Sequence, residues 1–239
     1  MIRLDLNEFV SSQDVGRLIA DGADDPTSLT SQAMKQPFSV ILLDEIEKAH
    51  PSVLATLLQL LDEGILRDVK NREVSFRDAI IIATSNAGAD RIREYIDRGY
   101  KMEQFEEQLI DELISSNQFR PEFLNRFDEI VTFKPLEEPE LLQVVDLMIA
   151  GVNKTLALQK VSVMVEDSAK RLLVKKGYDP RLGARPMRRV IQRVVENNVA
   201  KAILSGAVKP GASITISAKE VEDTMGKADR ADAIASGNG

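Results

Sequence analysis

The residues with the clearest chemical potential are two adjacent acids, Asp44 and Glu45, which close the apolar run Val40-Ile41-Leu42-Leu43. A continuous apolar run suits a strand buried on both faces of a parallel sheet. Side chains at the carboxyl end of such a strand face the crevice where α/β proteins bind ligands. One carboxylate there can hold Mg²⁺ through water, and its neighbour can orient and polarise an attacking water; that is the chemistry of phosphoryl transfer. The alternative is a strand that ends in two solvated acids.

Thr84-Ser85-Asn86 directly follows a second apolar run at 79–83. An amide at that strand end can bond a phosphate oxygen or the attacking water, although Ser and Asn are also ordinary turn residues. In Phe119-Arg120-Pro121-Glu122-Phe123-Leu124-Asn125-Arg126-Phe127-Asp128, two arginines sit among apolar anchors. An arginine at a subunit edge can neutralise charge on a neighbour's γ-phosphate; an intrachain salt bridge to Glu122 or Asp128 is the competing use. In Gly183-Ala184-Arg185-Pro186-Met187-Arg188-Arg189, the two small residues permit close backbone approach and Arg185 opens a helix with Pro186 in its first turn. A solvated basic face is the alternative there. No aromatic residue is interleaved with these cations, which argues against a nucleic-acid groove.

The elements that must position these residues follow from pattern. Residues 2–6 alternate as a short strand, 22–31 read as a loop, and 38–43, 79–83 and 129–133 read as strands. A helix starts at His50-Pro51 and stops before Gly64, with 91–116 mostly helical after it. Strands alternating with helices predict an α/β layer with a parallel sheet. Beyond Pro135 the pattern turns helical, at 137–156, 166–176 and 185–205, with a turn at Pro210-Gly211 and an edge strand at 212–217. The expected organisation is a large α/β domain at 1–135, a smaller, mainly helical domain at 136–217 and a disordered polar tail at 218–239.

Composition narrows the function. The chain has 239 residues, 44% apolar and 29% charged, an ordinary globular balance. With no cysteine and one histidine, His50, it cannot build a disulfide framework or a thiolate or His-rich metal site. The same absence fits a reducing, cytoplasmic compartment. No apolar run reaches the ~20 residues of a membrane span, Met1 opens nothing like a signal peptide, and a net charge of −7 speaks against nucleic acid as the main partner.

In order and spacing, Leu42-Leu43-Asp44-Glu45-Ile46-Glu47-Lys48-Ala49-His50-Pro51, Leu57-Leu58-Gln59-Leu60-Leu61-Asp62-Glu63-Gly64, Thr84-Ser85-Asn86, 119–128 and Gly183-Ala184-Arg185-Pro186 resemble the second ATPase domain of the Clp/heat-shock AAA+ unfoldases. The resemblance covers 1–217. It implies a AAA+ module with a parallel-sheet, P-loop-type large domain and a small helical domain, using ATP and Mg²⁺. Asp44 and Glu45 match the Walker B pair, Asp44 holding Mg²⁺ through water and Glu45 acting as catalytic base. Asn86 matches sensor 1, Arg185 matches sensor 2, and Arg126 matches an arginine finger acting in trans within a homo-oligomer, usually a hexameric ring. The implied work is threading unfolded or aggregated proteins through a pore, for disaggregation or for delivery to a peptidase partner. His50 falls in the family's Lys-Ala-His-Pro stretch, where a structural role is expected.

Two departures stand out. No Gly-x-x-x-x-Gly-Lys-Ser/Thr phosphate loop is present; the only Gly-Lys pair, Gly226-Lys227, has Val221 and Ala228 where the first Gly and the hydroxyl belong. The large domain is therefore expected to be truncated at its N-terminal side and inactive in isolation. The family's aromatic Gly-Tyr-Val-Gly pore loop is replaced by Asp21-Gly22-Ala23-Asp24-Asp25-Pro26-Thr27-Ser28, acidic and without an aromatic. For a peptidase-docking tripeptide the nearest stretch is Arg98-Gly99-Tyr100, a poor match. Two rival readings are a non-enzymatic assembly module on the same fold and a clamp-loader or DNA-remodelling ATPase.

Overall fold

Ile2 and Leu4 are buried while Arg3 and Asp5 are exposed, the period of two that makes the first strand. The computed structural model describes residues 1–116, 118–180, 182–206 and 211–226. Pro210, Lys227 and 227–239 of the expected tail lie outside the described residues. The chain divides into two compact units, Met1–Lys134 and Pro135–Gly239.

The first unit runs β1 (Ile2–Asp5), α1 (Val15–Ile19), α2 (Leu29–Lys35), β2 (Val40–Asp44), α3 (Pro51–Glu63), β3 (Ile65–Arg67), β4 (Glu73–Ser75), β5 (Ile80–Ala83), α4 (Ala89–Asp97), α5 (Glu106–Ser115) and α6 (Pro121–Leu124). Its sheet is parallel, in the order β1-β2-β5, and the register places Ile2, Ile41 and Ile81 in one row and Leu4, Leu43 and Ala83 in the next. That face packs on Leu18, Leu29, Val53, Leu57 and Leu60. The opposite face carries Arg3, Leu42, Asp44, Ile80 and Ile82; Ile80 is 64% and Ile82 46% exposed. Burial on both faces, expected for β2, is thus met on one face only, and Phe38 lies outside the strand and is exposed.

α3 has the expected ends. His50 is its N-cap, its Nδ1 accepting from the Ser52 N–H (3.1 Å), and Pro51 is its first residue. Gly64 closes it at φ 65°, a left-handed position that favours glycine. Several other elements differ from the sequence expectation. Ser28 caps α2 within the expected loop. The span 91–116 is two helices with a break between Asp97 and Glu106. Residues 129–133 form no strand: the free edge of β5 does not pair with them, and Ile130, Val131 and Phe133 are exposed. β-branched residues favour a pleated, half-buried surface, and that preference needs a paired neighbour to act on. The β3–β4 hairpin was unforeseen. Asp68 shapes its turn, accepting from the N–H groups of Lys70 and Arg72 at 2.9 Å each and from Arg72 Nε at 2.7 Å. Burial acts to raise the Asp68 pKa, but these donors outweigh it and lower it.

The second unit runs α7 (Glu138–Leu156), β6 (Ser162–Val165), α8 (Asp167–Gly177), α9 (Arg185–Leu204), β7 (Ser213–Ile216) and a closing helix, α10, at 218–226. Its core joins Val145, Leu173, Met187, Ile191, Val194 and Ile216. β6, not foreseen, pairs in parallel with β7. α10 corrects the expected disorder for 218–226. Val221 is fully buried in the core, and the Ser217 N–H donates to the Glu220 carboxylate at 2.6 Å, one half of a Ser-x-x-Glu capping box. Gly183 also has a different use from the one expected. A Cβ there would meet nothing within 4 Å, so its φ of 65° is what requires glycine. The close approach is at Gly177, where a Cβ would stand 2.8 Å from the Met187 backbone.

Candidate functional site

Strand ends bring the polar residues together. Asp44 is the last residue of β2 and leaves the sheet on the face opposite Leu43. Arg3 Nη2 is 2.6 Å from its Oδ2, and the Thr84 hydroxyl donates to its Oδ1. Thr84 is fixed by the sheet: its N–H donates to the Leu43 carbonyl at 2.8 Å, and its own carbonyl accepts from the Ile46 N–H at 3.0 Å.

Glu45, the first residue off the strand, occupies the left-handed region at φ 56°, ψ 53°. A non-glycine residue there carries a cost of roughly 1–2 kcal/mol, and such residues gather at functional sites because surrounding contacts over-determine them. Those contacts are present. The Glu45 N–H donates to Thr84 Oγ1 (3.3 Å), Asn86 Nδ2 donates to Oε1 (3.4 Å), and Asn7 Nδ2 donates to Oε2. Glu47 then ties down the neighbouring strand end, accepting from Ser85 Oγ at 2.8 Å and from the Asn86 N–H at 3.3 Å.

Asp44, Glu45 and Asn86 therefore share one hydrogen-bonded cluster, and Asp44 and Glu45 are not simply solvated. Arg3, Asn7 and Glu47 complete it without having been singled out. Their one sequence signal is position: Asn7 follows β1, the strand beside β2, and Glu47 follows the acid pair by two residues. Among the described residues no group of three or more His, Asp or Glu is placed to hold a metal by itself. A cation at this site would be held through water from Asp44, and the carboxylates and the Asn86 amide fit the water end of a nucleotide–magnesium complex. The described residues of the cluster offer no glycine-rich backbone cradle for the phosphates.

The two remaining candidates are Arg126 and Arg185. Arg126, just after α6, pairs with Asp62 in the last turn of α3 through Nε, and not with Glu122 or Asp128. Arg120 reaches Glu122 at 3.8 Å. Arg185, the first residue of α9 in the second unit, is exposed.

The segment 21–28 is closed by its own side chains. Asp21, only 1% exposed, accepts from the Ala23 N–H at 2.6 Å and the Asp24 N–H at 3.2 Å, and it pairs with Lys70 at the tip of the β3–β4 hairpin. The Lys70 ammonium, then the Ala23 N–H, hold its pKa down at about 2. The hydroxyls of Ser28, Thr30 and Ser31 converge on the Ala20 carbonyl at 2.6, 3.0 and 3.0 Å. The Val69 N–H bonds the Ile19 carbonyl at 3.0 Å, completing the dock of the hairpin on this loop.

Comparison with known proteins fits this arrangement. The profile of the AAA domain (Cdc48 subfamily) matches residues 1–130, and that of the C-terminal, D2-small domain of ClpB protein matches residues 136–216. The chain is 43% identical over 235 residues to the chaperone protein ClpB of Aquifex aeolicus (strain VF5), an alignment covering 93% of this chain and 23% of the relative. It is 42% identical over 228 residues to the ATP-dependent Clp protease ATP-binding subunit ClpC of Staphylococcus epidermidis (strain ATCC 12228), covering 90% of this chain and 28% of the relative. The ClpC of Staphylococcus aureus (strain USA300) is 41% identical with the same coverage. The chain thus spans about a quarter of the length of these relatives. Among the described residues no helix is long and apolar enough to cross a membrane.

Proposed function

The chain belongs to the AAA domain family (Cdc48 subfamily) and carries a ClpB-type D2-small domain behind it, and on that premise we propose that it supplies the hydrolytic machinery, apart from the phosphate-binding loop, of a Clp-type protein unfoldase. The observation that carries this reading is the Asp44-Glu45-Asn86 cluster, in which both acids are held from the ends of adjacent parallel strands.

Nucleotide binding comes with the family; ATP with Mg²⁺, when bound, supplies the transferable phosphoryl group and the cation's charge. Asp44 would hold the cation through water. Glu45 accepts the proton of the attacking water, and Asn86, hydrogen-bonded to Glu45, keeps that carboxylate and the water in line. Arg126 reaches the nucleotide of a neighbouring copy in a homo-oligomeric, hexameric ring, and Arg185 reports nucleotide from the small domain. The phosphate cradle is the one part of that machinery which these 239 residues do not supply. The free edge of β5 and the exposed Ile80 and Ile82 suit a further parallel strand and a covering layer. Unfolded or aggregated proteins in the cytoplasm are the substrates, for disaggregation or for delivery to a peptidase. Because segment 21–28 is acidic, non-aromatic and closed on itself, substrate is gripped by other residues.

The test joins the chain to an upstream segment that carries Gly-x-x-x-x-Gly-Lys-Ser/Thr. The joined protein is expected to hydrolyse ATP, the 239-residue chain alone is not, and Glu45→Gln in the joined protein lowers kcat by roughly 10²–10⁴-fold. Undiminished turnover in Glu45→Gln would remove the catalytic assignment.

A further inference from the structure

Of the two arginines between Phe119 and Asp128, one is held and one is not. Arg120 is highly exposed, and its nearest carboxylate is 3.8 Å away on the same short helix. Arg126 is fixed from two sides. Its backbone N–H donates to the Phe123 carbonyl (3.3 Å), and it lies between Phe123, buried in the core, and Phe127, packed against that core, whose rings meet edge-on at 5.5 Å. Its guanidinium is held by Asp62 of α3.

The form of that contact matters. Asp62 meets the inner nitrogen, Nε, as an ion pair, and among the described residues the two outer amino groups make no hydrogen bond. A guanidinium is a planar fork of five donors; held at Nε, it keeps its outer pair for a bidentate anion such as a phosphate. Stability accounts for only a small part of the pair. With side chains 49% and 34% exposed, it belongs to the class of ion pairs that add little to folding. Asp62 also stands in the last turn of α3, where the helix dipole disfavours an acid, and Arg126 offsets that cost. At the other end of α3, the chain leads back through His50 to Glu45.

We infer that Asp62 is the positioning residue for Arg126, holding its guanidinium by the inner nitrogen and presenting its outer amino groups to the terminal phosphate bound by a neighbouring copy. The inference rests on the assignment of Arg126 to that phosphate, and Asp62 touches no reacting atom.

Two measurements test it. In the 239-residue chain, ¹⁵N–¹H spectra are expected to show the Arg126 Nε–H shifted and slowed in solvent exchange relative to Arg120, with both features lost in Asp62→Asn and kept in Asp62→Glu. An Arg126 signal that Asp62→Asn leaves unchanged overturns the inference. In the joined protein carrying the phosphate loop, Arg126→Ala is expected to lower kcat about 10³-fold or more. Asp62→Asn is expected to lower kcat by roughly 10- to 100-fold, with the KM for ATP within about twofold of the parent and Asp62→Glu recovering most of the loss. If Arg126→Ala is inactive while Asp62→Asn turns over like the parent, the positioning role fails and the trans role of Arg126 stands. If Arg126→Ala keeps its turnover, the trans role fails and takes the positioning role with it.

Discussion

On one face of the β1–β2–β5 sheet, Ile41 and Leu43 are sealed against α3; on the other, the neighbouring strand leaves Ile80 and Ile82 in water. The same strands make both faces. Apolar surface left exposed forgoes about 25 cal/mol per Å², and parallel sheets are ordinarily covered on both sides. The sealed side, together with the self-closed loop at 21–31, is complete within the residues described. The open side is the one on which Asp44 emerges, so the face proposed to do chemistry is also the one that needs a further layer. Stability is therefore carried by one face of the sheet, and the chemistry proposed above by the other.

That contrast can be broken most directly by emptying the sealed face. Leu43 is completely buried, and Leu43→Ala is expected to destabilise the chain by about 2–5 kcal/mol, the usual range for a buried leucine cut to alanine. Urea unfolding followed by circular dichroism measures it; a cost near zero would mean that the core face is not the one that holds the unit together.

Lowering the pH sharpens the contrast within the self-closed loop. The Asp21 pKa is held at about 2 in the folded chain, against about 3.9 for a free aspartate. Its contribution to stability is therefore fully present above pH ~4 and disappears as the pH falls through about 2. Comparing the melting temperatures of the parent and Asp21→Asn across that range checks this. The parent is expected to be the more stable at neutral pH and to lose its advantage on acidification; a difference independent of pH would show that Lys70 and the loop N–H groups do not act on the carboxylate.

The smallest change is expected on the open face. Ile82→Ala removes a half-exposed side chain and is expected to cost no more than about 1 kcal/mol in the 239-residue chain. In the protein joined to a phosphate-loop segment, the same substitution is expected to cost distinctly more, because the position is then covered. Equal unfolding free energies in the two settings would mean that the added segment does not cover this face.

Much of this arrangement is legible in the sequence, for local reasons. The apolar run ending in Asp44-Glu45 marks a strand and its outlet. His50-Pro51 and Gly64 mark both ends of α3, because a cap and a left-handed stop depend on adjacent residues. The Thr84-Ser85-Asn86 turn follows its strand in the same way. The Ser217-x-x-Glu220 signature marks the start of α10 in the same local way, within a stretch whose polar composition by itself favours disorder. Residues 129–133 show the opposite case: their β-branched content favours a strand, but no paired neighbour stands beside them in the described structure.

The sequence alone settled the family to which the module belongs and the residues that stand at its strand ends, since short-range patterning decides where a strand stops and a helix begins. Only the tertiary structure decided that Asn7 and Asn86 grip Glu45 in a left-handed turn, that Asp62 and not a nearer acid takes Arg126, and that one face of the sheet is bare. Those are choices among many possible partners far apart along the chain, and they are made by packing, which no local pattern records.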